Sequence, residues 1–206
     1  IRDRWSPTLI AFGEFIDGYD LTVIGVAMVF LTKTFTLTAT DKGLLVAISF
    51  VGTALGLVLF GDIADRVGRK RSLFAAMMIT ALGSLIIAFT PTYGTVGVLA
   101  SVILVIARLL QGLAHGGEMG TSVTYLVERA PQGRRGLFGA TSWVSVVVGT
   151  ILATLVGLAV NTLLSPEQVA SWGWRVAFGI GGVLGLYALY LRRSLTESEH
   201  FTAAQQ

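Results

Sequence analysis

The chain has 206 residues, of which 53% are hydrophobic and only 13% charged, and its mean hydropathy is +0.75. Soluble domains carry roughly 25% charged residues, so this composition describes a membrane protein and excludes an ordinary soluble enzyme or binding module. The net charge of +3 calls for no nucleic-acid partner, and the absence of cysteine excludes disulfides and thiolate metal sites.

Uncharged runs cover residues 43 to 61, 72 to 107 and 136 to 166, and about 20 apolar residues suffice to cross a bilayer. No signal-peptide pattern opens at Ile1, so the first apolar stretch reads as a helix in its own right, about 8–32. The second span, about 43–64, ends in "GDIADRVGRKRS", where Asp62, Asp65, Arg66, Arg69, Lys70 and Arg71 cannot lie in hydrocarbon. The third, about 72–90, breaks at Pro91-Thr92-Tyr93-Gly94, and the fourth follows over about 97–127. The fifth, about 137–160, ends before Ser165-Pro166-Glu167-Gln168, which leaves a sixth over about 175–191. Strands of about 10 residues would alternate in polarity, and these runs do not, so the spans are helices and the chain is an all-α membrane protein.

Basic residues orient the spans. Arg2, Arg4, the four bases of 66–71, Arg129, Arg134, Arg135, Arg192 and Arg193 put eleven on one side, against Lys33, Lys42 and Arg175 on the other. The positive-inside rule therefore places both termini in the cytoplasm of a multi-pass protein of the plasma (inner) membrane. The remaining base, Arg108, lies within the fourth span.

Ionisable groups inside a span cost about 2.5 to 3.5 kcal/mol each at the membrane centre, so they mark either function or, as an alternative for Glu14 and Asp17, packing polarity that snorkels or sits in a wet cavity. Glu14, Asp17 and Asp20 lie in the first span, and Arg108, His115 and Glu118 in the fourth. Four acids against one arginine cannot all be neutralised by pairing. At about 100° per residue, Arg108, Gln111, His115, Glu118 and Ser122 share about 80° of arc, a single polar stripe. Gly112, Gly116 and Gly120 run beside it and permit close helix contact, as do Gly52 and Gly56 in the second span and Gly149, Ala153 and Gly157 in the fifth. "DGYDLT" at 17–22 and "HGGEMG" at 115–120 each place a glycine two residues before an acid that an apolar residue follows. The echo falls in the first and fourth spans, as it would if three spans were repeated in inverted order.

The stretch from Gly61 to Arg71 resembles the signature loop between helices 2 and 3 of the major facilitator superfamily. "RLLQG" (108–112), "GGE" (116–118), "ERAPQGRRG" (128–136), "WGWR" (172–175) and "RRSLTES" (192–198) are similar to its metabolite:proton symporter branch. "GYDLTVIG" (18–25) is similar to both that branch and the sugar porters. The resemblance implies a six-helix bundle, residues 1–206, built as a 3+3 inverted repeat and forming the amino-terminal half of a twelve-helix transporter. It implies that Gly61 packs against the opposite half, and that Asp65, Arg69, Glu128, Arg135 and Glu197 form a cytoplasmic charge network that closes the inward gate. Asp20 and Arg108 match a buried acid and arginine that couple proton binding to transport, with Glu118 as a further coupling candidate. Asp17, Tyr19, Gln111, His115 and Ser122 are candidates for substrate contact. His115 stands where relatives usually have a small residue. Leu195-Thr196-Glu197-Ser198-Glu199 replaces the sugar porters' Pro-Glu-Ser-Pro-Arg, and that replacement favours an organic acid or zwitterion.

The implied activity is proton-coupled symport of a small metabolite by alternating access, with a second six-helix half, from the same chain or another copy, needed to complete the site. A facilitator or exporter and a non-transporting scaffold are the alternatives. No zinc motif such as HExxH and no nucleophile motif such as GxSxG is present, so neither an enzyme nor a cofactor is expected. The partners expected are the substrate, protons and the lipid bilayer.

Overall fold

Backbone groups in hydrocarbon must satisfy their hydrogen bonds internally, and the apolar runs accordingly fold as helices. The computed structural model describes residues 6–34, 37–91 and 93–193. Its helices are α1 (Ser6–Thr34), α2 (Ala39–Val67), α3 (Arg69–Phe89), the short α4 (Tyr93–Val96), α5 (Val98–Glu128), α6 (Arg135–Leu163), the short α7 (Pro166–Gln168) and α8 (Trp174–Arg192). Five helical stretches are long and apolar enough to cross a membrane, and α1, at 29 residues, matches them in length. Five of the expected spans are therefore α2, α3, α5, α6 and the stretch from α7 through α8, and α1 occupies the position of the first.

The two largest differences from the boundaries read in the sequence are the starts of α2 and of the last span. α2 starts four residues early because Thr38 and Asp41 form a capping box: the Thr38 N–H donates to Asp41 Oδ2 at 2.8 Å and the Asp41 N–H to Thr38 Oγ1 at 3.2 Å. The last span begins near Pro166 rather than at 175, since α7 runs through a wider π turn, Val169–Gly173, directly into α8. Ser165 caps that start and Pro166 occupies the first turn, where its missing N–H costs nothing.

Within the charged knot α2 stops and α3 starts on either side of a single residue, Gly68. Its φ of 108° is a conformation that side chains rarely tolerate, and its N–H still donates to the Ala64 carbonyl. The glycine thus lets the chain reverse without a loop.

Helix pairing carries the repeat. If α1–α2–α3 is one unit and α5–α6–α8 the other, α1 packs on α6, α2 on α5 and α3 on α8, with α1 on α8 and α3 on α5 as further contacts. Each pairing has its counterpart on exchanging the two units, as a 3+3 repeat requires. Small residues set the closest approaches: a Cβ on Gly112 would strike the Ser49 carbonyl, one on Gly116 the Thr53 carbonyl, and one on Gly149 the Phe15 carbonyl. These contacts fix the rotation of α5 and α1, and with it the direction of their polar faces.

Candidate functional site

The polar stripe of α5 turns inward. Arg108, Gln111, Glu118 and Ser122 are buried there, with Glu14, Asp17 and Asp20 of α1 opposite them. Near the middle of the bundle, Arg108 Nη1 donates to Gln111 Oε1 at 2.7 Å, Gln111 Nε2 to Ser84 Oγ at 3.0 Å, and Ser84 Oγ to Asp20 Oδ1 at 2.9 Å. Asp20 and Arg108 are thus joined by a relay through α3, and no direct ion pair links them among the described residues. Ser84 escaped the sequence reading. Its signal was faint: two hydroxyls one turn apart, Thr80 and Ser84, in an otherwise apolar run.

Toward the Ser6 end of α1 lies a second group. Carboxylate oxygens of Glu14, Asp17 and Glu118 lie within 4.8 Å of one another. Ser122 Oγ donates to Glu14, and His115 Nδ1 stands 3.5 Å from Asp17 Oδ2. Arg192 donates to both oxygens of Glu118 and to the Leu73 carbonyl at 3.0 Å. This corrects the count of bases. Arg192 was placed on the cytoplasmic flank, yet it is 1% exposed and gives the buried acids a second guanidinium. Gly13 makes room for it, since a Cβ there would collide with the guanidinium.

Two cavities border these residues. A small one of about 10 Å³ is lined by Asp17, Asp20, Leu21, Thr80, Arg108, Gln111, Gly112 and His115. Five polar atoms of its lining residues, Asp17 Oδ2, Asp20 Oδ2, Thr80 Oγ1, Arg108 Nε and His115 Nδ1, are buried without a hydrogen bond. Each such atom costs about 1–3 kcal/mol, so their convergence marks a place for a polar occupant. The larger cavity, about 120 Å³, has Glu14, His115 and Ser142 among apolar walls that include Met119 and Trp143. Leu21 and His115 line both. Of the substrate-contact candidates, Asp17, Gln111 and His115 thus reach a cavity. Tyr19 and Ser122 are occupied elsewhere: the Tyr19 hydroxyl donates to the Ala177 carbonyl at 2.6 Å, and Ser122 is held by Glu14.

At the α2–α3 turn, Arg69 bridges Asp65 at 2.5 Å and Glu128 at 3.3 Å, tying the turn to the end of α5. Arg135 begins α6 exposed and without an ion pair among the described residues, and Glu197 lies outside them. Arg2 and Arg4 also lie outside the described residues. A Cβ on Gly61 would meet open space within this bundle.

Long helices paired in a 3+3 repeat, with ionisable groups facing each other across α1 and α5, define a half-bundle of a secondary transporter. Residues 7–206 match the family described as sugar (and other) transporter, and the chain belongs to that family of the major facilitator superfamily. It is 35% identical over 203 residues to the alpha-ketoglutarate permease of Escherichia coli (strain K12), covering 96% of this chain and 47% of that protein. It is 32% identical over 202 residues to the citrate-proton symporter of Klebsiella pneumoniae, covering 94% of this chain and 45% of that one. The fold overlays that of the solved proton:xylose symporter with a TM-score of 0.88 at 24% identity, covering 97% of this chain and 46% of that one. The chain therefore spans about half the length of the relatives it matches. Those relatives are transporters and not enzymes, in agreement with the sequence reading.

Proposed function

We propose that the complete protein is a proton-coupled symporter of a small carboxylate or zwitterion, of which this chain forms the amino-terminal half. The observation that carries the reading is the pair Asp20 and Arg108, each with a buried unpaired atom at one small cavity. Asp20 can take up a proton, and Arg108 can offer its guanidinium to an anionic group. The permease and symporter relatives support a carboxylate substrate. A second six-helix half, from the same or another chain, closes the site from the opposite side, with Gly61 on the packing face. The test is uptake of radiolabelled 2-oxoglutarate, citrate and betaine by the complete protein in proteoliposomes. Accumulation under an inward proton gradient, abolished by a protonophore, is expected. Uptake that only equilibrates and ignores pH would instead make the protein a facilitator.

Both termini face the cytoplasm in this reading. Cysteines introduced singly at the exposed Gln132 and Glu167 of this cysteine-free chain are expected to label from opposite sides of the membrane. Labelling of both by an impermeant reagent from outside would reverse the topology.

Arg69, Asp65 and Glu128 act as the cytoplasmic gate, with Arg135 and Glu197 joining as the halves close. Surface ion pairs are worth about 0–1 kcal/mol each, a strength suited to a contact that must open in every cycle. Arg69→Ala is expected to shift the balance toward the inward-open state, read as increased cytoplasmic cysteine accessibility, with substrate affinity changed less than about threefold. A loss of binding without a change in accessibility would move Arg69 into the substrate site.

A further inference from the structure

We infer that the larger cavity, between α1, α5 and α6, is a second substrate subsite, which takes a methylated ammonium group at the far end of the transported carboxylate. The inference rests on the carboxylate reading above and concerns the other end of the same molecule. Volume excludes the small cavity as the whole site. At about 10 Å³ it has room for about one water-sized group, such as a single carboxylate oxygen beside Arg108. The remainder of a substrate needs adjoining space, and Leu21 and His115 are walls of both cavities. The larger one holds about 120 Å³. An apolar cavity of about 150 Å³ accepts benzene, so a branched group of about four or five non-hydrogen atoms fits here.

The lining selects the chemistry of that group. Met119, Val123 and Val146 offer nothing to a second carboxylate, and no arginine or lysine lines the cavity among the described residues. Glu14 stands at its edge, its carboxylate held by the Ser122 hydroxyl and without an ion pair among the described residues. Buried around both cavities are four acids, Glu14, Asp17, Asp20 and Glu118, against the two guanidiniums of Arg108 and Arg192. That excess disfavours a second anionic group and favours a cation. A bare ammonium would lose its water among apolar walls, whereas methyl groups spread the charge and pack against them. Trp143 supplies an aromatic face, the best partner for a quaternary ammonium. It is 61% exposed, and among the described residues no ring or cation stacks on it.

Spacing sets the length of the molecule. Asp20 lines the small cavity and Glu14 the larger, and the six residues between these positions rise about 9 Å along α1. With bonds of about 1.5 Å, a one-carbon spacer holds an ammonium nitrogen at most about 3 Å from the carboxyl carbon, and a three-carbon spacer at most about 6 Å. The longer spacer therefore bridges the two subsites better.

The experiment is titration calorimetry of the complete protein in detergent, with no proton gradient. The probes are γ-butyrobetaine, its isostere 5,5-dimethylhexanoate, in which a carbon replaces the charged nitrogen, and glycine betaine, which has the one-carbon spacer. γ-Butyrobetaine is expected to bind at least about tenfold more tightly than the isostere, and more tightly than glycine betaine. Trp143→Leu is expected to bring the isosteric pair within about threefold of each other, and Trp143→Phe to keep most of the difference. Equal affinities for the isosteres would make the cavity a purely apolar pocket and overturn the proposal. So would tighter binding of citrate or 2-oxoglutarate, or no binding of γ-butyrobetaine. A tryptophan that only anchors α6 in the membrane would change the melting temperature and leave the ratio intact, which also overturns the assignment. The isostere comparison needs no variant, so misfolding of Trp143→Leu does not remove the test. Binding of γ-butyrobetaine without proton-driven uptake would overturn the symport reading alone. Proton-driven uptake with no discrimination between the isosteres would overturn the subsite alone.

Discussion

Replacing Asp20 by Asn is expected to abolish proton-driven accumulation by the complete transporter while leaving exchange of substrate across the membrane intact. The amide has the shape of a protonated carboxyl. Its oxygen can still accept from Ser84 Oγ, so the relay through Gln111 to Arg108 survives. What is lost is the ability to release and rebind a proton as the cavity changes sides. Asp20→Ala is a poorer test, because it strands the Ser84 hydroxyl and the relay behind it at a cost of about 1–3 kcal/mol. The check is counterflow and gradient-driven uptake in the same proteoliposomes. If the Asn variant accumulates substrate with normal pH dependence, Asp20 is not the coupling acid, and Glu118 becomes the candidate.

Arg192→Gln is expected to cause the largest loss of stability of any single substitution considered. Both Arg192 and Glu118 have side chains 0% exposed, and removing one member of such a pair leaves the other charge uncompensated, at a cost of about 3–5 kcal/mol. The Leu73 carbonyl also loses its donor. Adding Glu118→Gln should restore much of the stability, since the double variant buries no unpaired charge. Thermal unfolding in detergent of the parent, both single variants and the double variant completes the cycle. A single-variant cost below about 1 kcal/mol, with no coupling to Glu118, would mean that the pair contributes nothing to holding α8 on α5.

The relation between these two arginines bears on how far a sequence can be read. Arg108 was recognisable because it interrupts an apolar run, and its helical spacing to Gln111, His115, Glu118 and Ser122 is a local property that folding preserves. Arg192 was not. It stands at the end of a span, where counting rules assign bases to water, and only packing reveals that its long side chain turns back between α1, α3 and α5. Asp20 and Arg108 were both legible, yet the link between them was not, since Ser84 comes from a third helix whose rotation no local pattern specifies.

By itself the sequence determined the apolar helical spans, the charged turn and the polar stripe of the fourth span. Each follows from a short-range rule: hydrocarbon excludes charge, a helix repeats every 3.6 residues, and a turn as tight as that at Gly68 requires a glycine. Tertiary structure alone decided which helix faces which, and so which acid meets which base. The glycine contacts of Gly112 with Ser49, and of Gly149 with Phe15, set those approaches, and they depend on pairs of residues 63 and 134 positions apart in the chain. Partnership across such separations depends on the packing of both helices at once, and neither helix's own pattern contains it.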